Sequence, residues 1–156
     1  LIYISNRLRG GALNDDFELV RQELLPGISI LVLCQKNKSL TFIDELAADP
    51  KRRMKAKAIA DAALRLVQHG TAWAISTGRI NRLNCSKGTI AIYELKVMGK
   101  GHRIMTYVHD DKNQTPVLLF DFEGHKGKSG GGIKSSTLIK GQQCAEIARS
   151  LLREEL

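Results

Sequence analysis

Two cations face each other across a short turn. In Glu94-Leu95-Lys96-Val97-Met98-Gly99-Lys100-Gly101-His102-Arg103, apolar and polar residues alternate, and Gly99-Lys100 is the Gly-X pair that suits a primed hairpin turn. With that pair at the tip, Val97 faces His102, Lys96 faces Arg103 and Leu95 faces Ile104. Leu95, Val97, Ile104 and Val108 then share one face, while Glu94, Lys96, Arg103, Met105, Tyr107 and His109 share the other. Like charges directly opposed on paired strands are unfavourable, on a scale of roughly 0.2–1 kcal/mol per pair. A bound phosphate would offset that cost. Long side chains splaying into solvent would relieve it too.

A second basic stretch follows, Gly124-His125-Lys126-Gly127-Lys128-Ser129-Gly130-Gly131-Gly132-Ile133-Lys134. Its Gly127-Lys128-Ser129 invites comparison with a nucleotide-binding P-loop. That motif needs a glycine five positions earlier, where Phe122 stands, and a helix where glycines follow. The segment reads instead as a glycine loop whose backbone N–H groups and lysines approach a different phosphate. A solvated surface loop is the plainer reading.

The whole chain favours a polyanionic partner. Its net charge is +8 over 156 residues. From Lys51 to Arg103 there are twelve Lys or Arg against Asp61 and Glu94, and from Gly124 to Lys140 four lysines and no acid. The longest apolar run, Ile28 to Cys34, suits a buried strand and not a membrane span. No signal-peptide pattern is visible. Cys34, Cys85 and Cys144 are odd in number, far apart and without CxxC, so they read as reduced thiols in a cytoplasmic protein. With no HxH, HExxH or clustered carboxylates, neither a metal nor a cofactor is expected.

These residues must be positioned by a single α+β domain. The pattern predicts a strand over 1–5, a helix capped by Asp15 or Asp16 and running to Leu25, and a strand over Ile28–Gln35. A capping box at Thr41 opens a short helix to Ala48. Asp49-Pro50 opens an amphipathic helix to Gly70, with Met54, Ala58, Ile59, Ala62, Ala63, Leu66 and Val67 on its apolar stripe. Residues 70–88, with the lone Trp73, read as a loop with room for short ordered pieces. Strands follow over Thr89–Met98, His102–His109 and Pro116–Glu123, then a helix over Thr137–Glu154.

Several pieces, taken in order from about Ile28, resemble the RelE/ParE superfamily of bacterial toxins, most closely its phage-derived HigB-type branch. They are the helix pair from Leu40 to Gly70, the strand Ile92-Tyr93-Glu94-Leu95-Lys96, the strand His102-Arg103-Ile104-Met105-Thr106-Tyr107, and Val117-Leu118-Leu119-Phe120-Asp121-Phe122 before a basic run and a terminal helix. Lys96 stands where that branch commonly has Arg, and the glycine run after His125 is an insertion. The resemblance implies a RelE-like fold, an N-terminal helical hairpin packed on a small, mainly antiparallel sheet with a C-terminal helix. It makes residues 28–156 the toxin domain and residues 1–27 an extension, a strand plus a helix, packed on it.

The resemblance further implies a toxin of a toxin–antitoxin pair that cuts mRNA at the ribosome without metal, with a cognate antitoxin as partner. Cleavage by the RNA 2′-OH needs a base, cations on the phosphorane and an acid for the leaving oxygen. Arg103, with its fixed charge and bidentate fork, is the first candidate for the phosphate, with Lys96 assisting. His125 is the candidate acid or base, and Tyr107 a stacking group or proton donor. Lys100, Lys126, Lys128 and Lys134 would hold the RNA backbone. The alternatives are a non-catalytic binding protein on the same scaffold, directed at gyrase or at nucleic acid, and a plain structural domain.

Overall fold

The computed structural model describes residues 16–85, 88–97, 101–124 and 133–154 in full, and the backbone of 2–9. Seven strands form one sheet: β1 (Ile2–Arg9), β2 (Phe17–Leu25), β3 (Ile28–Gln35), β4 (Ile80–Arg82), β5 (Ile92–Lys96), β6 (His102–Val108) and β7 (Pro116–Glu123). Their order across the sheet is β1-β2-β3-β7-β6-β5-β4. Every pairing is antiparallel except β3 with β7, which is parallel. The helices are α1 (Phe42–Ala48), α2 (Arg53–His69), α3 (Thr71–Ser76) and α4 (Ser135–Glu154).

This architecture corrects the expected fold. The helical pair is not N-terminal, because three strands precede it, and the sheet is a wide mixed one of seven strands. The predicted helix before Leu25 is strand β2. Phe17-Glu18-Leu19-Val20-Arg21-Gln22-Glu23-Leu24-Leu25 carries apolar residues compatible with either period, and Pro26-Gly27 can stop a helix or turn a hairpin. Gly27 takes φ +79, the left-handed value a tight turn needs, and β2 folds straight back on β3. The short ordered pieces allowed for within 70–88 are α3 and β4. The long helix starts at Arg53, because Asp49 closes α1 and holds the intervening turn by accepting from the Lys51 N–H at 3.0 Å. Met54 is not on its apolar stripe but 78% exposed.

Both faces of the sheet are covered. On one, α1 to α3 enclose Ile30, Val32, Leu95, Val97, Ile104 and Leu118. On the other, α4 lies over Leu31, Leu33, Ile92, Met105, Tyr107 and Leu119. This explains the unbroken apolar run of β3, a strand buried on two sides. Thr41 caps α1 as expected, accepting from the Asp44 N–H at 3.2 Å. Its hydroxyl also donates to Gln22 Oε1 at 2.7 Å, and Gln22 Nε2 donates to Asp44 Oδ1 at 3.2 Å, so a buried polar chain fastens β2 to α1.

Candidate functional site

The expected strand register holds. Lys96 is the cross-strand partner of Arg103, and Leu95 that of Ile104. Arg103 is in turn partnered by Phe122 on β7, which makes a row Lys96–Arg103–Phe122 across three strands. The next row is Glu94–Met105–Phe120. α4 covers this second row. Gly141 sits so close to Met105 that an added Cβ would lie 2.9 Å from its Sδ. Lys140 Nζ stands 4.3 Å above the Phe120 ring. The first row is therefore the margin of the packed face.

The charges at this margin balance one another. Glu94 lies diagonal to Arg103, and its Oε2 is 3.6 Å from the guanidinium Nε. That distance is an ion pair, longer than a charge-assisted hydrogen bond of about 2.7–2.9 Å. Arg103 also donates from Nη1 to the His102 carbonyl at 2.8 Å. The carboxylate relieves the repulsion between Lys96 and Arg103, and it keeps the guanidinium in place while leaving it partly exposed. Phe120 and Phe122 are half-buried, with ring centroids 6.3 Å apart. Cations interleaved with aromatic rings can grip a nucleic-acid backbone while stacking its bases.

The other expected residues distribute unevenly. Lys134 is exposed, immediately before α4, and its carbonyl accepts from Thr137 and Leu138. Tyr107 is on the same face as Arg103 but four residues along β6, about 13 Å away at the strand rise. It is only 3% exposed, and its Oη hydrogen-bonds to buried His109 Nδ1 at 2.9 Å. Burial pushes the Tyr107 hydroxyl above the ordinary phenol range, although Arg149 and Arg153 draw it back. It cannot stack on a base from there. Lys100, His125, Lys126 and Lys128 lie outside the described residues. Gly124, to which His125 is joined, bonds through its N–H to the Gly101 carbonyl at 2.7 Å and lies against the Arg103 side chain.

Sequence reasoning passed over Glu94, Phe120, Phe122 and Lys140. The alternation already placed Glu94 with Lys96 and Arg103, so its diagonal contact was legible from the register. Among the described residues, no three His, Cys, Asp or Glu side chains come together as metal ligands. Nor is any described helix long and apolar enough to cross a membrane. Comparison of the chain with protein-family models, curated proteins and solved structures found no match.

Proposed function

We propose that the chain binds RNA at the β5–β6–β7 margin and cleaves it there, as the mRNA-cutting toxin of a bacterial toxin–antitoxin pair of the RelE/ParE superfamily. In this reading it works at the ribosome, in the cytoplasm, and a cognate antitoxin restrains it. The observation that carries the reading is the Lys96–Arg103 row with the Glu94 carboxylate 3.6 Å from the guanidinium. Arg103 and Lys96 hold the scissile phosphate. Glu94 takes the proton from the adjacent 2′-OH, whose oxygen attacks phosphorus and closes a 2′,3′-cyclic phosphate. The 5′-oxygen leaves and takes a proton from an acid, the role the sequence offers to His125. Phe120 and Phe122 supply stacking surface, and Lys140 and Lys134 extend the cationic track toward α4.

The test is cleavage of an RNA oligonucleotide by the purified chain, with and without ribosomes, in excess chelator. The expected products carry a 2′,3′-cyclic phosphate and a 5′-hydroxyl. Arg103→Ala is expected to lower the rate by about 100-fold or more, the scale for losing one donor to the transition-state charge. Glu94→Gln should act similarly. Undiminished cleavage by both variants would remove this margin from the chemistry. A second reading rests on the same contact: Glu94 and the His102 carbonyl already occupy Arg103, as in a protein that binds nucleic acid or gyrase without cutting. Salt-sensitive RNA binding with no cleavage under any condition would favour that reading.

A further inference from the structure

On the opposite face a groove of about 600 Å³ opens between α2, α3 and the end of β5. Met54, Ala58, Ala62 and Leu66 recur at every fourth residue along its α2 wall. The distance from Met54 to Leu66 is about 18 Å at the helical rise, or roughly three turns. Trp73 and Ala74 form the facing wall. The floor is therefore apolar and largely made of small side chains, which lets another backbone approach closely. Met54, 78% exposed, stands at one end as a flexible apolar contact.

The rim is predominantly basic. Lys57, Arg65, Arg79 and Lys96 border the groove, and Asp61 is the one acid among its lining residues. From this charge and shape we infer that the groove receives an acidic amphipathic helix of a partner protein, apolar side chains down and carboxylates toward the rim. Helix-in-groove docking uses anchors spaced three and four residues apart, which match the α2 stripe. A second copy of this chain fits poorly, since each copy carries a net charge of +8. RNA fits less well than a helix. The one aromatic plane, Trp73, is already flanked by His69 with centroids 4.3 Å apart and by Arg79 at 5.9 Å, and the rest of the floor offers nothing to stack on.

This docking site does not rest on RNA cleavage at the β5–β6–β7 margin, with which it shares Lys96, and the test separates the two through Arg65 and Arg103. Trp73 is the chain's single tryptophan, so its emission reports on the groove directly. Two synthetic helical peptides of about 14 residues, a length set by three to four turns, would share a leucine face and lack tryptophan. One carries glutamates on its polar face and the other lysines. The glutamate peptide is expected to shift Trp73 emission with saturation, and the lysine peptide is not. Arg65→Glu, an exposed change, should weaken the glutamate peptide at least tenfold and admit the lysine peptide, while Arg103→Ala leaves both titrations unchanged. Equal binding of the two peptides would overturn the inference. So would indifference to Arg65→Glu, or displacement of the glutamate peptide by an RNA oligonucleotide acting through Lys57 and Arg65.

Discussion

Three helices cover one face of the sheet, and a single helix covers the other. Beneath α1 to α3, branched strand residues meet Ile43, Leu46, Ile59 and Leu66 in a layer reaching from β3 to β4. Beneath α4 much of the bulk comes from the strands, as Met105, Tyr107, Val117 and Leu119, while the helix contributes Gly141, Cys144, Ala145, Ala148 and, near its end, Leu151. α4 crosses several strands, β5, β6 and β7 among them, but a helix about 10 Å across covers only about three residues along each one. It leaves the row at the end of those three strands uncovered. Where its cover stops, polar side chains replace apolar ones, and Lys96 and Arg103 stand there, with Glu94 one row further in. The margin that could handle phosphate is a consequence of how far α4 reaches.

The sharpest way to break this contrast is to remove the same side chain from each face. Leu66 on α2 and Leu151 on α4 are 2% and 0% exposed. A Leu→Ala change in a core costs roughly 2–5 kcal/mol, with the value set by how well the site can collapse. Leu66 is hemmed in by neighbouring helices, so Leu66→Ala should fall in the upper half of that range. α4 packs alone and can settle toward the strands, so Leu151→Ala should fall in the lower half. Urea unfolding midpoints of the two variants check this. A cost for Leu151→Ala equal to that for Leu66→Ala would show that α4 is held as rigidly as the triple cover.

The closeness of α4 is itself testable at Gly141. A methyl there would lie 2.9 Å from Met105 Sδ and Cε and 3.3 Å from Ile92 Cδ1. Alanine gains about 1 kcal/mol of helix propensity over glycine, against about 1–3 kcal/mol for overpacking. Gly141→Ala is thus expected to lose about 1 kcal/mol net. Combined with Met105→Val, which removes the offending atoms, it should lose less than the sum of the single changes by about 0.5 kcal/mol or more, the scale of direct-contact coupling. Strict additivity would mean that the helix and β6 do not meet as tightly as the geometry indicates.

Much of this arrangement is visible in the sequence, and the gaps have physical causes. The β5–β6 register followed from Gly99-Lys100 and the alternation around it, since a one-residue slip would turn Leu95 and Ile104 outward. The Thr41 cap was equally legible. β2 was not, because its local pattern permits a helix and only pairing with β3 decides. Tyr107 shows another limit. Strand parity correctly puts it on the face of Arg103, but parity cannot say how far along that face α4 lies. Burial of one and exposure of the other are tertiary facts.

The smallest expected effect concerns the turn between β6 and β7, which serves the three-helix face. Asp111 Oδ1 accepts from the Thr115 N–H at 2.9 Å and Oδ2 from its hydroxyl at 2.7 Å. The Thr71 hydroxyl, at the start of α3, donates to the Gln114 carbonyl at 2.8 Å. Partial burial pushes the Asp111 carboxyl up, but the Thr115 donors, helped by His109 and Asn113, more than offset this and hold it below its ordinary value of 3.8. A folded-state pKa below the unfolded one adds stability that is present above about 3.8 and lost as pH falls through the folded value. Asp111→Asn should therefore cost under about 1 kcal/mol at neutral pH, the scale of one net hydrogen bond. The wild-type and variant unfolding midpoints should converge once the pH drops below that window. Because the turn ties to α3 and not to α4, amide exchange should quicken over Thr71–Ser76 and stay unchanged over Ser135–Glu154. A stability gap independent of pH would assign the effect to turn geometry and not to charge. Faster exchange along α4 would mean the two covers open together, and the contrast between the faces would be one of packing alone.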